Sequence, residues 1–216
     1  MQLKSKLSGI ICAAYCLLLP LGFQCLILVV ITIDTIEMIV IHPNDKTTSF
    51  LRQIYAGKKD VTLIDETWNS RKIRETIGTA PKEERIMMLG HGYNGGLFAP
   101  YGNDQFARTI IDSKIVYLLR EHPCIGVWCY ANQFADNYEL KGLFTGMIIS
   151  EKYEADNLGI DIEGVDIDAC NNQFASDLEY CLRKYSLNLI PEKMLELQDF
   201  HSELTDFNYN NIFSYG

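Results

Sequence analysis

Five short apolar runs dictate most of what this chain can become: MIVIHP from Met38, DVTLID from Asp60, RIMMLG from Arg85, CIGVWC from Cys124 and FTGMIIS from Phe144. Each is too short for a helix that must bury a face, and each stops at a proline, a glycine or a polar turn. Between them lie stretches of helical character. Asp45 or Thr47 is placed to cap a helix over SFLRQIYAG, NSRKIRETIG forms the next, and NDQFARTIIDSKIVYLLREH carries an amphipathic helix. EKYEADN is a polar helix, and DACNNQFASDLEYCLRKY places Cys170, Phe174, Leu178 and Cys181 three or four residues apart, as one buried helical stripe requires. The chain after Asn188 reads as irregular or weakly helical. Strand and helix alternating at this pitch predict an α/β fold: a single three-layer domain, residues 38–216, built on a mostly parallel sheet.

Sheets of that kind present their ligand sites outside the carboxyl ends of the strands. Two chemically capable residues fall there. His91, one of four histidines in 216 residues, follows RIMMLG at the start of the glycine-rich HGYNGG. Cys129 closes CIGVWC. Taken singly, the first is most simply a satisfied loop histidine and the second an inert buried thiol. On one sheet edge, from neighbouring strands, they become a base and a nucleophile, because a thiol acts as thiolate and an imidazole beside it is the usual means.

The first 37 residues differ in composition. No charge occurs between Leu7 and Ile33, long enough to predict membrane attachment through residues 7–33, with Lys4 and Lys6 on the cytoplasmic side. No small-x-small cleavage site follows, as a signal peptide would need. The apolar tract nevertheless runs almost without linker into MIVIHP, and Met38 stands where an α/β domain would begin. Two readings stay open for residues 1–37: an anchor that makes this a single-pass membrane protein, or an upstream extension of a cytoplasmic domain.

Composition removes other classes. A net charge of −9 without a basic cluster excludes a phosphate-backbone binder, so no nucleic-acid partner is expected. Seven cysteines, an odd number without C-x-x-C spacing, fit neither a disulfide scaffold nor a zinc site and point to a reducing compartment. No metal or cofactor is implied: there is no Walker loop or G-x-G-x-x-G, and Asp161, Glu163, Asp166 and Asp168 lack EF-hand spacing and read as a solvated acidic loop. HGYNGG loosely resembles the oxyanion loop of lipases, but VWCYA has no nucleophile-elbow glycines and the histidine comes in the wrong order.

An apolar strand ending in His-Gly (MMLGHG), then a helix, then an apolar strand ending in a cysteine (IGVWCYAN) resembles the caspase-like cysteine peptidases. That superfamily includes the gingipain, clostripain, legumain and CHAT-type enzymes. The likeness covers roughly residues 38–150. It implies a caspase-like fold and a cysteine endopeptidase acting on a peptide or protein substrate. His91 would be the acid–base, Cys129 the nucleophile, and the backbone N–H groups of Gly92 and Cys129 the oxyanion hole. Ser150 and Glu151, after the fifth strand, fall where the superfamily often builds its specificity pocket. Asn94 and Gln133 are further substrate-contact candidates, although Asn94-Gly95-Gly96 reads first as a tight turn and Asn132-Gln133 as a helix cap. Trp128 and Tyr130 depart from the pattern, since many relatives carry a small residue before the cysteine. The competing expectation is a catalytically inactive interaction or immunity module on the same sheet.

Overall fold

A computed structural model describes residues 11–15, 27–31, 38–100 and 108–216. The chain divides into two units, Met1–Ile36 and Glu37–Gly216. In the first, strands β1 (Ile11–Tyr15) and β2 (Ile27–Ile31) pair antiparallel, with Ile11 opposite Ile31 and Tyr15 opposite Ile27. This overturns the expected membrane attachment through residues 7–33. The backbone of these two stretches is paired between strands, not within one helix, and among the described residues no helix is long and apolar enough to cross a membrane. Lys4 and Lys6 lie outside the described residues.

The second unit is built on a six-stranded sheet. Its strands are β3 (Met38–Ile41), β4 (Val61–Ile64), β5 (Arg85–Leu89), β9 (Cys124–Val127), β10 (Gly142–Thr145) and β11 (Ile212–Tyr215). The order is β11-β10-β9-β5-β3-β4, parallel throughout except for β11, which runs antiparallel to β10. The apolar runs form the middle of the sheet because both of their faces are covered. Ile86 and Met88 of β5 pack with Ile73 and Ile77 of helix α1 (Ser70–Thr79), while Met87 and Leu89 pack on the other face with Phe174 and Leu178 of helix α5 (Ile167–Lys184). Asn69 starts α1 by accepting from the Lys72 amide at 2.9 Å, and Asp166 starts α5 by accepting from Ala169 at 3.0 Å.

Three segments differ from the sequence expectation. The stretch before His122, expected to contain an amphipathic helix around Ile115–Leu119, keeps a single helical turn there, α2 (Val116–Leu119), and contributes strand β8 (Arg108–Ile111) ahead of it. β8 completes a small antiparallel ribbon with β6 (Gly92–Tyr93) and β7 (Gly96–Ala99). Its Thr-Ile-Ile is β-branched, and Asp112 then accepts from the Lys114 amide at 2.9 Å, a turn that ends the strand. The fifth parallel strand, Gly142–Thr145, begins two residues before the expected FTGMIIS run and shares only Phe144 and Thr145 with it; Gly146 continues its pairing with the last strand by donating to the Asn211 carbonyl at 2.8 Å, and the chain then leaves the sheet. The tail, read as irregular or weakly helical, holds two helices and a strand: α6 (Ile190–Leu197), α7 (Glu203–Asn210) and β11 follow one another, with Ser202 and Thr205 forming a capping box at the start of α7.

Gly142 begins β10 with φ +137°, and a Cβ there would lie 1.8 Å from the Cys124 carbonyl oxygen of the neighbouring strand. Backbone cannot yield as a side chain does. Gly142→Ala is therefore expected to lower stability by about 3 kcal/mol, measured as the shift in a urea unfolding midpoint at unchanged slope.

Candidate active site

β5 and β9 are adjacent and in register, Leu89 opposite Val127, and Gly90 continues the pairing by donating to the Val127 carbonyl at 3.0 Å. His91 and Cys129 therefore leave the same edge of the sheet from neighbouring strands. After His91 the chain folds straight into the hairpin β6–β7, whose two-residue Asn94-Gly95 loop is the tight turn expected there. After Cys129 it enters α3 (Ala131–Tyr138) through Tyr130, which adopts φ +66°.

Trp128 joins the two. Its side chain is fully buried, and its indole N–H donates to the Tyr93 carbonyl at 3.1 Å. A Cβ on Gly92 would meet the indole Cδ1 at 2.2 Å, so the close approach of hairpin and indole requires glycine at that position. The bulk that departs from the family pattern is thus accommodated by the residue next to the histidine.

His91 and Cys129 line one narrow cavity of about 20 Å³, with Thr48, Leu51, Ile148 and Ser150 among its other walls, space for no more than a single water. They are not hydrogen-bonded to each other. The Cys129 thiol donates to the Ile148 carbonyl at 3.5 Å and lies 3.9 Å from Glu154 Oε1. Burial, together with the nearby Glu154 carboxylate, pushes this thiol up to about 11. His91 Nε2 instead lies 2.5 Å from Thr47 Oγ1, and that hydroxyl donates to Asp45 Oδ1 at 2.6 Å. Burial raises the Asp45 carboxyl, but the hydrogen bonds from the Thr47 hydroxyl and amide and the proximity of His91 outweigh it, holding the group below its ordinary value.

The remaining sequence candidates separate. Ser150 and Glu151 reach the site, Ser150 on the cavity of Cys129 and Glu151 on a cleft of about 610 Å³ shared with His91, Asp45, Thr47 and Phe98. A second cleft of about 500 Å³ continues past Ser150 and Glu151 to Asp168 and Asn171. Asn94 is exposed at the hairpin tip, and Gln133 is exposed on α3; neither lines these clefts. Asn132 and Gln133 sit inside α3 and do not cap it, and the Asn132 Oδ1 is buried without a partner. Neither Asp45 nor Thr47 caps a helix. The Asp45 side chain closes a turn onto the Thr47 amide at 2.8 Å.

Sequence reasoning missed the residues that hold these groups. The segment carrying Ile148 and Ser150 is clamped from behind. Asn208 of α7 accepts from the Ile149 amide and donates to its carbonyl, both at 2.8 Å, and Asn171 of α5 donates to the Ser150 carbonyl at 2.9 Å. Glu154, on helix α4 (Lys152–Leu158), accepts from the Ser150 amide at 2.7 Å and hydroxyl at 3.0 Å. His42, just past β3, is buried and within 3.0 Å of the Tyr55 hydroxyl; burial and the Arg52 charge lower it to about 4. Only the S-E-x-x-E string before α4 signals its cap in the sequence. Among the described residues no group of three or more His, Cys, Asp or Glu is placed to hold a metal ion. No protein-family model and no curated protein matches the chain.

Two measurements probe these environments. With its pKa near 11, Cys129 is thiolate in only about one molecule in 10⁴ at pH 7. Alkylation should be slow at neutral pH and climb through the alkaline range. Glu154→Gln, which removes the adjacent negative charge, should speed it by several-fold, up to about tenfold. An unchanged rate profile would contradict that electrostatic account. His42 acts in the opposite pH range. Its unfolded-state value of 6.5 exceeds its folded value of about 4, so the unfolded chain binds the proton first. Stability contributed by His42 is complete above pH 6.5 and is lost as pH falls toward 4, by about 3 kcal/mol in all. Denaturation curves of His42→Gln should be correspondingly flatter over that interval than those of the wild type.

Proposed function

We propose that this chain is a caspase-like cysteine endopeptidase, with Cys129 as nucleophile and His91 as acid–base. The observation that carries the reading is the convergence of these two side chains on one cavity at the carboxyl ends of adjacent parallel strands. In this reaction Cys129 transfers its proton to His91 and the thiolate adds to the scissile carbonyl. The N–H groups of Gly92 and Cys129 hold the oxyanion, and the imidazolium protonates the leaving amine. Water then adds to the acyl-enzyme with His91 taking its proton, and the thiol is released. Peptide would lie along the cleft that His91 shares with Glu151 and its continuation past Ser150, both open to solvent.

One observation favours a second reading, an inactive interaction or immunity module. The thiol donates to the Ile148 carbonyl and not to the histidine, and burial together with the Glu154 carboxylate keeps it protonated. In the peptidase reading this is the resting arrangement, and substrate must draw Cys129 away from Ile148 before attack.

A peptide-library cleavage assay separates the two. The wild type is expected to cleave, and Cys129→Ala and His91→Ala, folded as the wild type by circular dichroism, should each lose at least about 10³-fold in kcat/KM. A peptidyl chloromethyl ketone should label Cys129 once per chain. Cleavage that survives Cys129→Ala ends the peptidase mechanism. A wild type silent on every library and unlabelled establishes the module reading.

A further inference from the structure

The loop between β3 and the short 3₁₀ helix Ser49–Ile54 supplies two members of a chain of three polar groups, the Asp45 carboxylate and the Thr47 hydroxyl; the third is the His91 ring, from beyond β5. A hydroxyl carries one proton and can donate only once, whereas a carboxylate only accepts. At 2.6 Å from Asp45 Oδ1, with the Thr47 amide donating to that same oxygen at 2.8 Å, the hydroxyl proton belongs to Asp45. What Thr47 Oγ1 offers His91 Nε2, 2.5 Å away, is therefore a lone pair, and Nε2 must carry the hydrogen.

An internal comparison supports that direction. Beyond the neighbouring strand β4 the chain repeats the same local arrangement, Asp65-Glu66-Thr67. The Thr67 hydroxyl and amide donate to Asp65 Oδ1 at 2.6 and 2.9 Å. Among the described residues the hydroxyl there makes that bond and no other, so its orientation toward the carboxylate belongs to the turn itself and is not imposed by a histidine. The two turns differ in that Thr47 is met by a ring from β5. Other charges on the cleft do not supply this contact: Lys46 and Glu151 line it with opposite signs, and neither bonds the ring.

We propose that Asp45 and Thr47 are positioning residues for His91: they fix its ring and its Nε2–H tautomer, leaving Nδ1 as the atom that exchanges protons with Cys129 and the leaving group. The catalytic consequence rests on the peptidase reading of His91 and Cys129; the hydrogen-bonded chain does not. When acylation makes the ring an imidazolium, the Asp45 charge lies one hydroxyl away and stabilises it. A threonine hydroxyl thus does the orienting, with a carboxylate behind it to set the direction of its proton.

The test uses the full chain labelled with ¹⁵N-histidine, with His91→Gln as the blank that identifies the His91 signals among the four histidines. The wild type is expected to show a His91 Nε2–H proton protected from solvent exchange. It should persist in Thr47→Ser, vanish in Thr47→Val, and exchange faster in Asp45→Asn. In cleavage assays Thr47→Val should lower kcat by about 10- to 100-fold with KM unchanged, as for other histidines oriented by an outer hydrogen bond, and Thr47→Ser should restore it. A missing Nε2–H proton in the wild type, its survival in Thr47→Val, or an unaltered kcat in that variant overturns the proposal. A wild type without peptidase activity removes the peptidase reading instead. The exchange measurement needs no turnover and decides the Asp45–Thr47–His91 chain separately.

Discussion

The carboxyl edge of the sheet depends on where one indole lies. Trp128 is the last residue before Cys129, yet its contacts reach three other elements. It donates through its ring to Tyr93 in the hairpin, its amide donates to Thr145 Oγ1 at the end of β10 at 3.1 Å, and its carbonyl accepts from that hydroxyl at 2.9 Å. Its ring meets Phe134 of α3 edge-on at 5.7 Å between centroids. The histidine hairpin, the cysteine turn and the end of β10 thus share one rigid wedge. A small residue in place of Trp128 would leave Gly92 facing a void and the hairpin free to swing from the cysteine.

This arrangement leaves His91 and Cys129 in the wall of one cavity without a hydrogen bond between them. His91 is tied toward the β3 loop and Cys129 toward the Ile148 carbonyl, so each has a partner other than its neighbour. The clamps behind Ile148 come from α5 and α7, on the far side of the sequence from the histidine strand. In chemical terms the thiol environment is governed by the last third of the chain, and the imidazole environment by the first.

What could be read from the sequence follows the strength of local signals. The central strands were legible because β3, β5 and β9 are buried on both faces and therefore apolar without interruption. α1 and α5 announce themselves through a regular apolar stripe, although Asp166, read as part of a solvated acidic loop, caps α5 and Asp168 lies in its first turn. The stretch before His122 misled because Ile110, Ile111, Ile115 and Leu119 satisfy a helical spacing as well as they satisfy a strand followed by one turn. The tail misled because its helices are short and polar, and because β11 is ordered by pairing with β10, a contact no local window contains. Placement of His91 and Cys129 at strand ends was readable. The second bond of Thr47, the clamp of Asn208 and the nearness of Glu154 to the thiol were not, since each joins residues whose meeting is decided only by the folded sheet.

The strand order carries one more consequence. β3 is laid down first and β4 joins one side of it; thereafter β5, β9, β10 and β11 each add to the opposite, growing edge in the order in which they are translated. No strand has to be inserted between two that are already paired. A chain emerging from the ribosome can assemble this sheet by lateral accretion, every newcomer meeting an open edge. The reversed strand β11 is the outermost on that growing side.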